Sequence, residues 1–132
     1  MLNVHLEYGS LVQRAAQFRY LAAVSPTDRP SPSAPTVAAF LGMGVKLNPV
    51  AKPPVSTGML ICGDFNCHPE APERSVLMDN GFVDAWMRLH GDQAPAPTLS
   101  VHARDGRHQP VCFDSVYVTE GLATRLVSIA VD

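Results

Sequence analysis

Cysteine is scarce in this chain and odd in number: Cys62, Cys67 and Cys112 are the only three among 132 residues. That argues against a disulfide framework and for a reducing compartment, with the cytoplasm as the expected location. Cys62, Cys67 and His68 match none of the usual zinc spacings, and no fourth ligand stands beside them. The simpler expectation puts Cys62 in the core and Cys67 in a loop. Charge is also thin, at 17% of residues with a net charge of −2. The chain has no Lys/Arg cluster, which argues against bulk nucleic-acid binding and against duplex DNA as a partner. A phosphate-bearing substrate stays open, because a bound cation can offset charge locally. No apolar run is long enough to cross a membrane, no signal-peptide pattern opens the chain, and no internal repeat is visible.

Apolar residues make up 46% of the sequence, enough for one small domain with a real core. Residues 2–6 alternate as a short strand, with Val4 on one face and His5 on the other. Ser10 opens a helix over residues 11–24, with Gln13 at capping-box spacing. Leu11, Ala15, Phe18 and Ala22 form its apolar stripe, Arg14 and Leu21 border it, and Gln13 and Gln17 lie outside it. Residues 26–57 hold seven of the twelve prolines and read as a surface insertion, with a short helix over 36–42 and an extended stretch over 46–55.

The stretch from Met59 to Asn66 organises the rest of the chain. An apolar run reads as a buried strand, Gly63 ends it, and Asp64 and Asn66 sit at its carboxyl end, where α/β folds commonly place ligand sites. Turn formation is the ordinary alternative for both residues. Pro72, with Glu70 or Glu73, signals a helix start, Val76 and Leu77 face inward, and Gly81 stops the helix. Residues 82–86 lead into an apolar patch, with Trp86 in the core. Residues 98–102 alternate as a strand, Asp105-Gly106 marks a hairpin, and residues 110–119 return. Gly121 and Leu122 form a turn or short helix, and Val127, Ile129 and Val131 alternate as a last strand. The fold class is therefore α/β of the α+β type, with a mixed, mostly antiparallel sheet and flanking helices.

Gly63-Asp64-Phe65-Asn66 resembles the G-D-F-N signature of the endonuclease/exonuclease/phosphatase superfamily. That superfamily includes DNase I-like nucleases, abasic-site endonucleases, inositol-polyphosphate phosphatases and neutral sphingomyelinases. Other stretches agree in order. Val4-His5-Leu6 resembles the family's T-H-L strand, and Arg14-Ala15-Ala16-Gln17 resembles its R-x-x-Q helix. Gly81-Phe82-Val83-Asp84-Ala85-Trp86 resembles G-F-x-D-x-[WF]. Phe113-Asp114-Ser115-Val116-Tyr117-Val118 resembles the strand R-[IL]-D-Y-[IV]-[FL]-V, although Cys112 and Phe113 depart from it. Thr98-Leu99 stands where the family often has a threonine-aromatic pair. The resemblance covers nearly the whole chain apart from 26–57 and implies part of a DNase I-like two-sheet sandwich. It also implies an upstream Asn and Glu and a downstream Ser-Asp-His, which these 132 residues do not contain. The whole chain is thus expected to be one partial domain.

The resemblance implies metal-dependent hydrolysis of a phosphodiester or phosphomonoester by an activated water. Asp64 would orient that water or bind Mg²⁺ (or Mn²⁺), Asn66 would contact metal or phosphate, and His5 would donate to the phosphate. Asp114 would hold the catalytic His, against the ordinary alternative of pairing with Arg104 or Arg107. Asp84 is assigned to capping or bracing a loop. His68 and Glu70 are expected to be solvent-exposed, and His90, His102 and His108 to have no role. The substrate would be a phosphate ester, whether small molecule, lipid headgroup or nucleic acid. Two rival expectations stand beside this one: a non-catalytic remnant or interaction domain, and self-association through an open sheet edge.

Overall fold

The first strand and the central strand come within touching distance at one glycine. In the computed structural model, which describes residues 1–24, 58–100 and 109–131, β1 (Leu2–His5) runs parallel to β2 (Leu60–Asp64), and Val4 lies opposite Gly63. Gly63 has φ +131°, and a Cβ there would run into the Val4 carbonyl oxygen and the Asn3 side chain. Gly63 therefore does not end the strand, as its sequence context suggests. It lies within β2 and allows the two backbones to meet.

Between these strands runs α1 (Leu11–Ala23). The Ser10 hydroxyl caps it by accepting from the Gln13 N–H at 3.3 Å. Its buried residues are Ala16, Phe18, Leu21 and Ala22, so the stripe is rotated from the expected one. Leu11 is exposed and Leu21 is core. The turn into the helix explains the shift, because Arg14 is drawn inward instead. Its Nη1 donates to the Glu7 and Tyr8 carbonyls at 3.2 Å each, and its Nε reaches Glu73 at 3.0 Å. Gln17 also turns in and accepts from the Glu7 N–H at 2.7 Å.

After β2 come a 3-10 turn (Pro72–Arg74) and the one-turn α2 (Ser75–Met78). Gly81, at φ +85°, ends this helical stretch. Phe82–Asp84 then forms β3, and Ala85–His90 forms α3, neither of which the sequence pattern announces. Asp84 caps α3 by accepting from Trp86 N and Met87 N, as expected of a bracing residue. Trp86 is only half-buried, because its indole N–H needs a partner and finds it at the Gln93 carbonyl, 2.6 Å away on an exposed loop. β4 (Asp114–Thr119) and α4 (Glu120–Ala123) complete the fold.

The sheet order is β1-β2-β4-β3, with β4 antiparallel to both neighbours. One expected strand does not form. Residues 126–131 alternate well, but they join neither outer strand of the sheet, and Val127 is exposed. The segment is held instead by the Ile129 carbonyl, 3.0 Å from the His90 ring. Of the expected 98–102 strand, residues 101 and 102 lie outside the described residues, and Leu99 forms one bridge with Val111. The hairpin at Asp105-Gly106 and the elements expected within 26–57 lie outside the described residues. Among the described residues there is one mixed sheet, and no helix is long and apolar enough to cross a membrane.

α1 and α2 pack on the face carrying Ile61 and Tyr117. Phe18, Phe65 and Tyr117 run through this core as an aromatic line, with centroids 5.6 and 5.2 Å apart. Arg74 sits in the same core at 1% exposure. Its guanidinium lies 5.5 Å over the Phe65 ring and donates to Cys67 Sγ, the Cys67 carbonyl, Ser115 Oγ and the Tyr117 hydroxyl. The cysteine expectation holds for the loop position of Cys67 but not for burial. Cys67 is buried because it partners Arg74, and Cys62, on the opposite face of β2, is half-buried; all three thiols are free.

This packing makes two demands that can be measured. Gly63→Ala is expected to lose about 3 kcal/mol or more in urea unfolding, because neither backbone can yield; an unchanged midpoint would rule out the close approach. Burial pushes the Tyr117 phenol up to about 12, against the pull of the Arg74 charge beside it. The unfolded value is about 10, so the native state keeps a proton that the unfolded chain releases. This stabilisation is complete below about pH 10 and is lost as pH rises through about 12. Wild-type stability should fall across that window more steeply than that of Tyr117→Phe.

Candidate functional site

The register of the sheet places three of the four candidate residues in one row. His5 lies opposite Asp64 on β1 and β2, and Asp64 lies opposite Asp114 on β2 and β4. Directly opposed residues share a face, so the row stands on the side away from α1 and α2. It lies at the carboxyl ends of the parallel pair, where the loops after β1 and β2 and the approach to β4 converge. His5 Nε2 is 4.0 Å from Asp64 Oδ2 in an exposed setting, so the pair itself adds little stability.

Asn66, the fourth candidate, is fixed by local hydrogen bonds. Asp64 Oδ1 accepts from the Asn66 N–H at 2.7 Å, closing an Asx turn. Asn66 takes φ +50°, a left-handed conformation that asparagine tolerates better than most residues. Its buried amide donates from Nδ2 to the Leu6 carbonyl at 2.7 Å, and the Leu6 N–H donates to the Asp64 carbonyl at 2.9 Å. The G-D-F-N loop is thus bound on both sides to the residue that comes after β1. Phe65 between them is fully buried, and its N–H donates to the Phe113 carbonyl at 3.0 Å.

Asp114 is exposed at the start of β4. Thr98 positions it, with the hydroxyl oxygen accepting from the Phe113 and Asp114 N–H groups at 3.3 Å each. Arg104 and Arg107, the alternative partners for Asp114, lie outside the described residues, as do His102 and His108. His68 and Glu70 are exposed as expected. Burial pushes the Cys67 and Cys112 thiols up, so neither is a ready thiolate.

Sequence reasoning missed Arg74 and Thr98 as supports of the site. Arg74 braces Ser115 at 2.6 Å, one residue beyond Asp114, and also braces the loop after β2 through Cys67. Nothing in the pattern Glu73-Arg74-Ser75 separates a buried arginine from a solvated one. Thr98 could have been found from the threonine that the family resemblance places there.

A cleft of about 620 Å³ opens beside Asp114. Glu70, Asp84, Asp92 and Asp114 line it, against the single guanidinium of Arg74. A smaller groove of about 430 Å³ is lined by Leu11, Asn66, His68 and Phe113 among others. Among the described residues, no three His, Cys, Asp or Glu side chains gather as a metal cluster. The chain matches no family model, no curated protein and no solved structure.

The two demands on Asn66 are separable. Asn66→Gly removes the amide but keeps the left-handed backbone easy, whereas Asn66→Ala removes the amide and strains the backbone. The alanine variant is expected to be less stable than the glycine variant by about 1 kcal/mol. Equal urea midpoints would show that the φ of Asn66 imposes no constraint.

Proposed function

We propose that this chain carries part of the site of a metal-dependent phosphoesterase, which hydrolyses a phosphodiester or phosphomonoester with an activated water. The observation supporting this most is the row His5, Asp64 and Asp114 across three adjacent strands, with Asn66 pinned beside it. The G-D-F-N resemblance supports the same reading, and the mixed sheet with flanking helices among the described residues is compatible with part of a two-sheet sandwich.

The donor set fits Mg²⁺ or Mn²⁺. Two carboxylates directly opposed on antiparallel strands repel each other, and a divalent cation beside them removes that cost. Mg²⁺ takes hard oxygen ligands and commonly only one or two carboxylates, keeping several waters. Asp64 through its carboxylate and Asn66 through its amide oxygen would hold the ion. When bound, it would supply charge neutralisation at the phosphoryl oxygens and a more acidic water. In this reading Asp64 accepts a hydrogen bond from the attacking water, and His5 donates to a phosphate oxygen. Asp114 orients the histidine of the downstream motif that the resemblance implies. Because that motif and the upstream Glu are not among these 132 residues, hydrolysis by this chain alone is expected to be weak or absent.

A second reading has an observation of its own. Asp64 Oδ1 and the Asn66 amide already serve structural hydrogen bonds, as they would in a non-catalytic remnant or interaction domain. Paramagnetic Mn²⁺ separates the two readings. In amide-resolved NMR spectra of the full chain, Mn²⁺ is expected to broaden the resonances around Asp64, Asn66 and Asp114 first, and Asp64→Asn should abolish that selectivity. Uniform broadening, or none, would leave only the non-catalytic reading.

A further inference from the structure

We infer that the groove between the start of α1 and the G-D-F-N loop receives the apolar alcohol portion of the substrate. The substrate would then be a monophosphate ester or diester with an aryl or alkyl group, not a polyanion. This rests on the phosphoesterase reading and narrows it.

The groove joins the proposed site through Asn66, two residues from Asp64. Its wall is apolar, formed by Leu11, Ala71, Pro72 and Phe113. His68 packs edge-on against Phe113 with ring centroids 5.4 Å apart, which extends that wall toward the loop. Of the three charged residues that also line it, Arg14 and Glu73 are paired at 3.0 Å, and the third, Glu70, is an exposed carboxylate. Arg14 Nη1 is further committed to the Glu7 and Tyr8 carbonyls. Among the described residues, no lysine or arginine in the groove is therefore free to meet a second phosphate, as a nucleic acid or polyphosphate would require.

Leu11 lines the groove, and the chain exposes two further large apolar side chains within the same five residues. Tyr8 is 74% exposed, Leu11 60% and Val12 79%. Isolated exposed hydrophobes are ordinary, but a group of three with one lining a groove is not. Helix capping does not account for them, since a hydrophobic staple would put its apolar residue at Gly9, next to the Ser10 cap. The turn that displays them is held by the two Arg14 bonds and by the Gly9 N–H to Glu7 Oε1 at 2.8 Å. A fixed apolar rim opening onto a phosphate-facing loop suits an ester whose alcohol is apolar.

The test titrates the full chain, with Mg²⁺ present, against phenyl phosphate, methyl phosphate and inorganic phosphate, read by amide shifts and by calorimetry. Phenyl phosphate should bind about tenfold more tightly than methyl phosphate and shift the resonances of Leu11, His68 and Phe113. The exposed variant Leu11→Ser should lose that preference while retaining wild-type unfolding and the Mn²⁺ response at Asp64. Equal affinity for the two esters overturns the inference, as do shifts mapping away from the groove or a preference that survives in Leu11→Ser. A preference that holds while Mn²⁺ finds no site at Asp64 supports the apolar groove and counts against the metal reading alone.

Discussion

The fold depends on how closely β1 approaches β2. At Gly63 the two backbones leave no room for a side chain, so the parallel pair is fixed in register without side-chain packing at that point. Register is otherwise weakly specified in a four-residue edge strand, where a one-residue slip would exchange its faces. The same approach sets the loop. Leu6 comes directly after β1 and meets both the Asp64 carbonyl and the Asn66 amide, which places the ends of β1 and β2 in a single hydrogen-bonded unit.

Behind that unit stands a buried cation whose hydrogen-bond partners, among the described residues, include no carboxylate. Arg74 satisfies its donors with a thiol, a carbonyl and two hydroxyls, and lies over the Phe65 ring. Burying a guanidinium is costly unless its donors are met, and here four hydrogen bonds meet them in neutral company. The partners come from two parts of the site: Cys67 from the loop after β2, Ser115 and Tyr117 from β4. One side chain thus ties the loop after β2 to β4, beside the ladder that pairs Asp64 with Asp114. The buried Arg14–Glu73 pair does the same between the α1 turn and the 3-10 turn beside Arg74.

Where local chemistry decides the structure, the sequence is legible. Ser10 caps α1, Asp84 caps α3, Gly81 stops the helical stretch, and residues 2–5 and 60–64 form strands because alternation and apolar runs dictate it. Where the decision is non-local, it is not. Val127, Ile129 and Val131 carry strand propensity, but the segment is held by a contact from Ile129 to His90 and joins no strand of the sheet. Phe82–Asp84 is too short to announce itself and becomes a strand only because β4 offers an edge there. Gly63 looks like a terminator in sequence, since nothing local reveals the Val4 carbonyl across from it. For the candidate site, the row is legible only as separate residues; the pairing of Asp64 with Asp114 comes from a register that neither strand encodes alone.

The structural duties of Asp64 and Asn66 do not by themselves oppose a chemical role. An aspartate that accepts from Asn66 through one oxygen retains the other, and an amide held by its nitrogen retains its carbonyl oxygen. The Asx turn uses half of each side chain to hold the other half still. Reactive groups gain from being fixed before a substrate arrives, because the ordering cost has already been met in folding. A purely structural loop would satisfy itself equally well with Asp114 replaced by a neutral residue. Here the opposed carboxylates remain, at the end of the sheet where loops from α1, β2 and β4 converge. His5 stands 4.0 Å from Asp64, and the proposed cation would lie beside the same two carboxylates.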